Sequence, residues 1–166
     1  MANITFKGNP VQTTGDLPGK GTAAPDFTLV KGDLSEVKLS DFKGKNVILN
    51  IFPSLDTGTC AASVRQFNKE AVSLNNTVVL GISADLPFAA GRFCSAEGIE
   101  NVITLSTFRD NTFDKDYGLL MSDGPLRGLL ARAVVVVNPE GKVVYTELVP
   151  EIAREPDYQS AINSIV

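Results

Sequence analysis

The pattern of hydrophobic and polar positions is clearest around residue 50. Residues 47–52 form a mostly apolar run, which predicts a buried strand, and Pro53 ends it because proline has no N–H for a ladder. Apolar side chains then recur every three or four residues, which predicts a helix with one side facing the core. Asp56 and Thr57 are candidate N-caps of this helix, and Cys60 falls in its first turn on the inward side. The recurring apolar residues are Val64, Phe67, Ala71 and Leu74.

The rest of the chain alternates short apolar runs with helical periodicity. Residues 133–137 form the most β-branched run and are predicted to be a central strand, with 142–149 pairing back antiparallel after a turn. A second helix is predicted to be capped by Asp85, to end at Gly98 and to carry Cys94 near its end. Further predictions are a hairpin at 4–14, strands at 27–30, 37–39, 77–83 and 102–105, a short helix or turn at 111–117, and a closing helix from Asp157. This order predicts an α/β fold, and both a thioredoxin-like sandwich and a generic doubly wound sheet fit it.

Composition and charge narrow the class of protein. A chain of 166 residues suits one domain with a sizeable core, so residues 1–166 are expected to form a single domain. The net charge of −4 and the lack of a basic run argue against nucleic acid or an anionic membrane as a partner. No apolar stretch has the length of a signal-peptide core or a membrane span, which makes the cytoplasm the expected location.

The chain has two cysteines and no histidine. A Cys–His dyad, a Ser–His–Asp triad and a common structural zinc site are therefore excluded. The two cysteines are also too far apart to form the Cys-x-x-Cys pair of a disulfide oxidoreductase. Cys60 is either a buried structural thiol or a reactive one, and its position favours a thiolate because unpaired N–H groups and the helix dipole stabilise negative charge. No haem, flavin or nicotinamide signature is present, so no cofactor is expected.

A family resemblance rests on the stretch that holds the first cysteine. Residues 53–60, Pro-Ser-Leu-Asp-Thr-Gly-Thr-Cys, resemble the Pro-x-x-x-Thr-x-x-Cys motif of peroxiredoxins, and the Ser-Leu-Asp variant is similar to bacterial thiol peroxidases, the atypical two-cysteine group. The resemblance continues through residues 6–10, 83–88, 92–94 and 131–133, and so covers nearly the whole chain. It implies a thioredoxin-like fold of the peroxiredoxin type with an N-terminal β-hairpin extension. It also implies an antioxidant peroxidase that forms homodimers.

The resemblance implies a role for each of five residues. The Cys60 thiolate would attack hydrogen peroxide or an organic hydroperoxide and become a sulfenic acid. Cys94 would resolve this acid as an intrachain disulfide, which thioredoxin would reduce, unless Cys94 is a buried structural thiol. Thr57 would contact the thiolate and the peroxide, or serve only as an N-cap, and Pro53 would shield the thiolate from water, or only end the strand. Arg132 enters the most apolar strand, where a charge needs a partner, and the family implies that it holds the thiolate.

Two further features leave alternatives open. The apolar segment 119–130 is a loop with core leucines, or an apolar collar around the site that is shared with a dimer partner or an organic substrate, in which case organic hydroperoxides would be preferred. Gly91 lies one turn before Cys94, and it either eases unwinding of that helix or is small because another element packs against it. Rival functions are a disulfide oxidoreductase and a redox sensor or inert binding module.

Overall fold

The computed structural model describes residues 1–110 and 112–165. Its strands are β1 (Asn3–Phe6), β2 (Asn9–Gln12), β3 (Thr28–Lys31), β4 (Glu36–Lys38), β5 (Asn46–Ile51), β6 (Thr77–Ser83), β7 (Ile103–Ser106), β8 (Ala133–Val137) and β9 (Val143–Leu148). Its helices are α1 (Gly58–Ala71), α2 (Pro87–Glu97), α3 (Phe113–Asp116) and α4 (Tyr158–Asn163), with a short 3₁₀ helix at Leu39–Phe42.

The main sheet of the described chain has seven strands in the order β4-β3-β7-β6-β5-β8-β9, and β1 and β2 form a separate antiparallel hairpin. Strand β5 pairs in parallel with β6 and antiparallel with β8. Ile51 at the end of β5 pairs with Ala133 at the start of β8. Residues just after Ile51 and just before Ala133 therefore lie side by side where these two strands end, although they are far apart in sequence.

Side chains on the two faces of the sheet enter two hydrophobic clusters. Alternate β5 residues Val47, Leu49 and Ile51 join the cluster that also holds the hairpin and α3, whereas Ile48 and Phe52 face the other cluster. This second cluster contains buried residues of α1, α2 and α4. The strand alternation thus separates a helix-covered face, which carries both cysteines, from a face covered by the hairpin and long loops.

Most predicted elements are present within one or two residues of their expected bounds. The predicted cap at Asp85 is wrong, because α2 begins at Pro87 with Leu86 in the N-cap position, and the Asp85 carboxylate bonds elsewhere. Of the predicted helix or turn at 111–117, residue 111 lies outside the described residues and α3 accounts for the centre. No helix in the described ranges is long and apolar enough to cross a bilayer.

Candidate active site

Cys60 is the third residue of α1 and has no exposed surface. Thr57 takes the N-cap position with an extended backbone, and its carbonyl accepts the N–H of Ala61 at 3.0 Å, which closes the first helical turn. Val64, one turn later, packs in the same cluster as Cys60. The inward position that the helical period predicts for Cys60 is confirmed.

Arg132 meets Cys60 from the start of β8. Its Nη2 atom lies 3.3 Å from the Cys60 Sγ atom, and its Nε donates to the carbonyl of Ile152 at 2.8 Å. The side chain is 1% exposed, and within residues 1–110 and 112–165 no carboxylate lies within salt-bridge distance of it. A buried cation needs a compensating charge, and in the described structure the Cys60 sulfur is the ionisable group hydrogen-bonded to it. The arginine and the cysteine named from the sequence are thus brought together.

Thr57 and Pro53 shape the loop between β5 and α1. The Thr57 hydroxyl donates to the carbonyl of Ser54 at 3.0 Å and makes no capping bond to the helix. Among the hydrogen bonds of the described residues, none joins this hydroxyl to the Cys60 sulfur. Pro53 is buried directly after the strand, next to the fully buried Phe52. Thr57 is exposed at the start of α1, whereas Pro53 is buried.

Cys94 lies in the last turn of α2, as predicted, and is a free thiol like Cys60. It is half-buried in the same cluster as Cys60, and its sulfur lies 3.8 Å from the Thr104 hydroxyl. Burial raises the pKa of this thiol above its ordinary value, and the contact with Thr104 opposes the rise only in part. Burial thus disfavours the thiolate form of Cys94, which lies beside the helix that carries Cys60.

Comparison with known proteins identifies the family of this chain. The family described as Redoxin matches residues 19–162. A thiol peroxidase of Corynebacterium glutamicum is 56% identical over 165 residues, 99% of each chain, and one of Mycobacterium tuberculosis is 54% identical over the same length and coverage. The chain belongs to the Redoxin family, among its thiol peroxidases. Reduction of peroxides is therefore its class of activity.

Solved structures confirm the fold of this redoxin. A peroxiredoxin-like protein from Aquifex aeolicus superimposes with a TM-score of 0.93 at 39% identity, covering 98% of this chain and 95% of that one. A thiol peroxidase from Chromobacterium violaceum, at 24% identity, has the same fold with a TM-score of 0.88 over 95% of this chain and 91% of its own. The predicted thioredoxin-like fold with an N-terminal hairpin is confirmed, in place of the alternative prediction of a generic doubly wound sheet.

In this redoxin the Asp85 carboxylate organises the loop before Cys60. It accepts hydrogen bonds from the Ser54 hydroxyl at 2.7 Å, the Leu55 N–H at 2.8 Å and the Ser83 hydroxyl at 2.8 Å. The Ser54 carbonyl in turn accepts the Thr57 hydroxyl. Asp85 thereby joins the segment before α2 to the loop before α1. The sequence signal for it is a serine at the end of a buried strand and an aspartate two residues later, a pattern that predicts a helix cap.

A second polar network lies behind Cys60 and was missed from the sequence. Asn50, fully buried in β5, donates from Nδ2 to the Ser63 hydroxyl at 3.1 Å, and this hydroxyl donates to the Cys60 carbonyl at 2.8 Å. A buried polar pair between a central strand and the first turn of α1 ties the helix start to the sheet. The available signal was a polar residue inside the apolar run 47–52.

The leucine-rich segment 119–130 belongs mainly to the core. Leu119, Met121 and Leu130 are each 1% exposed and pack in the cluster on the hairpin side of the sheet. Leu126 and Leu129 are half-buried against the same cluster. For these residues the collar hypothesis is wrong, because they face the sheet and not the cluster that contains Cys60.

One cavity of the described chain lies away from the thiols. It has a volume of about 320 Å³, and its lining includes Val47 and Val137, at the opposite end of the β5–β8 pair from Ile51 and Ala133. Two lysines, Lys43 and Lys45, are among its lining residues. In the described residues no group of three or more histidine, cysteine or carboxylate side chains is placed to hold a metal.

Proposed function

We propose that the chain reduces hydrogen peroxide and organic hydroperoxides through Cys60 and Cys94, with thioredoxin as the reductant, in antioxidant defence. The observation that carries the proposal is the buried Arg132 guanidinium, 3.3 Å from the Cys60 sulfur and without a carboxylate partner in the described chain. An arginine in that position stabilises a thiolate, because the charge of the thiolate compensates that of the guanidinium. The catalytic set is completed by Thr57 and Pro53.

In the first step the Cys60 thiolate attacks the terminal oxygen of a hydroperoxide. The O–O bond breaks, sulfur keeps the transferred OH as a sulfenic acid, and the alkoxide or hydroxide that leaves takes up a proton. The Nη1 atom of Arg132 is buried without a hydrogen-bond partner among the described residues. It is therefore a free donor for a peroxide oxygen, and it would stabilise the charge on the leaving oxygen. Thr57, exposed at the start of α1, would orient the peroxide, and buried Pro53 would keep water from the sulfur.

In the second step the Cys94 thiol attacks the sulfenic sulfur, so that a disulfide forms and water leaves. The dithiol of thioredoxin then exchanges with this disulfide, is itself oxidised, and returns Cys60 and Cys94 to thiols. We infer that the protein acts in the cytoplasm, because thioredoxin is kept reduced in that compartment. All of these groups belong to one chain, which we infer acts as a single domain over residues 1–166.

We further infer that the protein is a homodimer. Support comes from an exposed apolar pair at the start of α2, where Leu86 is 53% and Phe88 is 69% exposed. Sedimentation of the intact protein, beside a Phe88→Glu variant, tests this inference. A wild-type chain that sediments as a monomer at micromolar concentration would contradict it.

The function is tested by peroxide consumption driven by thioredoxin, thioredoxin reductase and reduced nicotinamide. Wild type should turn over steadily with hydrogen peroxide and with an organic hydroperoxide, and Cys60→Ser should be inactive with an unchanged circular dichroism spectrum. Retained turnover in Cys60→Ser would sink the mechanism. Reduction of insulin disulfides without peroxide turnover would instead indicate a disulfide oxidoreductase, and neither activity would indicate a sensor or binding module.

A further inference from the structure

The main chain after β9 supports the Cys60 site from outside the sheet. Within the segment Pro150–Ala153, the Ile152 carbonyl accepts the Nε of Arg132 at 2.8 Å, and the Ala153 carbonyl accepts the hydroxyl of Thr59 at 3.1 Å. Thr59 directly precedes Cys60 in α1. Two successive carbonyl groups of this segment therefore bind the Arg132 side chain and the first turn of α1, and both of these lie next to the Cys60 sulfur.

The other side of the same segment is held by the N-terminal hairpin. The N–H of Thr5 in β1 donates to the Pro150 carbonyl at 2.8 Å, and the Ile152 N–H donates to the Thr5 carbonyl at 2.9 Å. Ile152 itself is 2% exposed and packs in the same cluster as the hairpin residues Ile4 and Val11. The hairpin thus pairs with the segment that holds Arg132.

The Glu151 carboxylate completes this connection. Its Oε1 atom accepts from the Gly8 N–H at 2.9 Å and the Thr5 hydroxyl at 3.0 Å, and its Oε2 atom accepts from the Ala153 N–H at 2.8 Å. The Ala153 and Gly8 N–H donors lower the pKa of Glu151 to about 2, so the group is ionised at neutral pH. One carboxylate therefore bridges the hairpin turn and the residue whose carbonyl holds Thr59.

We propose that Glu151 is a positioning residue for the reaction of Cys60. With the hairpin it fixes the carbonyls of Ile152 and Ala153, and through them it aims the Arg132 guanidinium at the sulfur. Without the carboxylate, Arg132 keeps its charge but loses its alignment, and the thiolate is stabilised less. This inference rests on the proposed function for the peroxide reaction, but reactivity of Cys60 towards an alkylating agent tests it independently.

The experiment compares Glu151→Ala and Glu151→Gln with the protein that keeps Glu151. All three carry Cys94→Ser, so that Cys60 is the remaining thiol. Glu151→Ala removes three hydrogen bonds and should slow sulfenic acid formation by about threefold to tenfold, the range expected if the Arg132–Cys60 contact is weakened by about the strength of one hydrogen bond. Glu151→Gln should slow it less. The pH at which iodoacetamide alkylates Cys60 at half its maximal rate should move upward in the same order. A purely structural role would change the melting temperature but not this pH profile.

Asp123→Ala is the matched control, because the Asp123 carboxylate accepts the Gln12 N–H at 2.8 Å and so ties the same hairpin to a segment that does not contact Arg132. It should leave the rate and the alkylation profile unchanged. Equal effects of Glu151→Ala and Asp123→Ala, or an unshifted profile in both Glu151 variants, would overturn the proposal. If Glu151→Ala does not fold, Glu151→Gln with a normal melting curve decides the matter. A wild-type protein that does not reduce peroxide refutes the proposed function alone, since the alkylation profile still tests the role of Glu151.

Discussion

Replacing Gly91 by alanine tests whether α2 must open before Cys94 reaches Cys60. Gly91 lies in the interior of α2, one turn before Cys94, and a β-carbon built at this position meets no heavy atom within 4 Å. The alternative that Gly91 is small because another element packs against it is therefore wrong. Alanine fits without strain, so the substitution acts on the helix itself.

The magnitude follows from helix propensity. An alanine in a helix interior is favoured over glycine by about 1 kcal/mol, which corresponds to about a fivefold change in a rate if the whole difference reaches the opening step. Opening is expected because the two thiols lie on separate helices, with Cys60 held at Arg132 and Cys94 in the last turn of α2. A disulfide needs its two α-carbons within roughly 7 Å. Gly91→Ala should thus slow disulfide formation by up to about fivefold.

The assay is rapid mixing of the reduced protein with peroxide, followed by acid quench and mass determination of sulfenic acid, disulfide and sulfinic acid. Sulfenic acid should form at the wild-type rate and persist longer, so that sulfinic acid accumulates at high peroxide. The melting temperature should rise by about 2–4 °C if the whole propensity gain stabilises the folded state. Ala96→Gly, at an exposed position of the same helix, is the matched control and should speed disulfide formation.

One result would refute this reasoning. A raised melting temperature with an unchanged rate of disulfide formation in Gly91→Ala, and no acceleration in Ala96→Gly, would mean that α2 stays folded in the step that limits resolution. The unwinding would then have to occur in the first turn of α1.

Three further predictions concern the thiols and their surroundings. Cys94→Ser should consume about one peroxide per chain and then fail to recycle with thioredoxin, as measured by peroxide loss at known protein concentration; steady recycling would mean that another thiol resolves the intermediate. Arg132→Lys should slow sulfenic acid formation by about a hundredfold or more, because a lysine cannot present the planar fork that reaches both the Ile152 carbonyl and the sulfur. A near-normal rate in competition kinetics would show that the positive charge alone suffices. The stability contributed by Glu151 should be complete above its ordinary pKa of 4.5 and be lost as pH falls towards about 2, because folding lowers that pKa. The difference in melting temperature between wild type and Glu151→Gln, followed from pH 7 to pH 2, should therefore shrink between pH 4.5 and pH 2 and stay constant above pH 4.5.

The sequence by itself determined the local structure around Cys60. The apolar run, Pro53 and the period of the following helix place Cys60 inward in a first helical turn, because strand alternation and helical period are properties of neighbouring residues. Arg132, at the start of the most β-branched strand, predicts a buried charge that needs a partner. The structure gives that partner as the Cys60 sulfur.

Only the tertiary structure decided which distant groups complete the site. The bonds from Asp85 to Ser54, from Arg132 to Ile152 and from Glu151 to Gly8 join residues whose separation along the chain carries no periodic signal. They arise because the strand order places the end of β5 beside the start of β8, and because the hairpin pairs with the main chain after β9. Whether leucines after residue 118 face the core, and whether space surrounds Gly91, likewise depend on packing between elements, which local patterns do not encode.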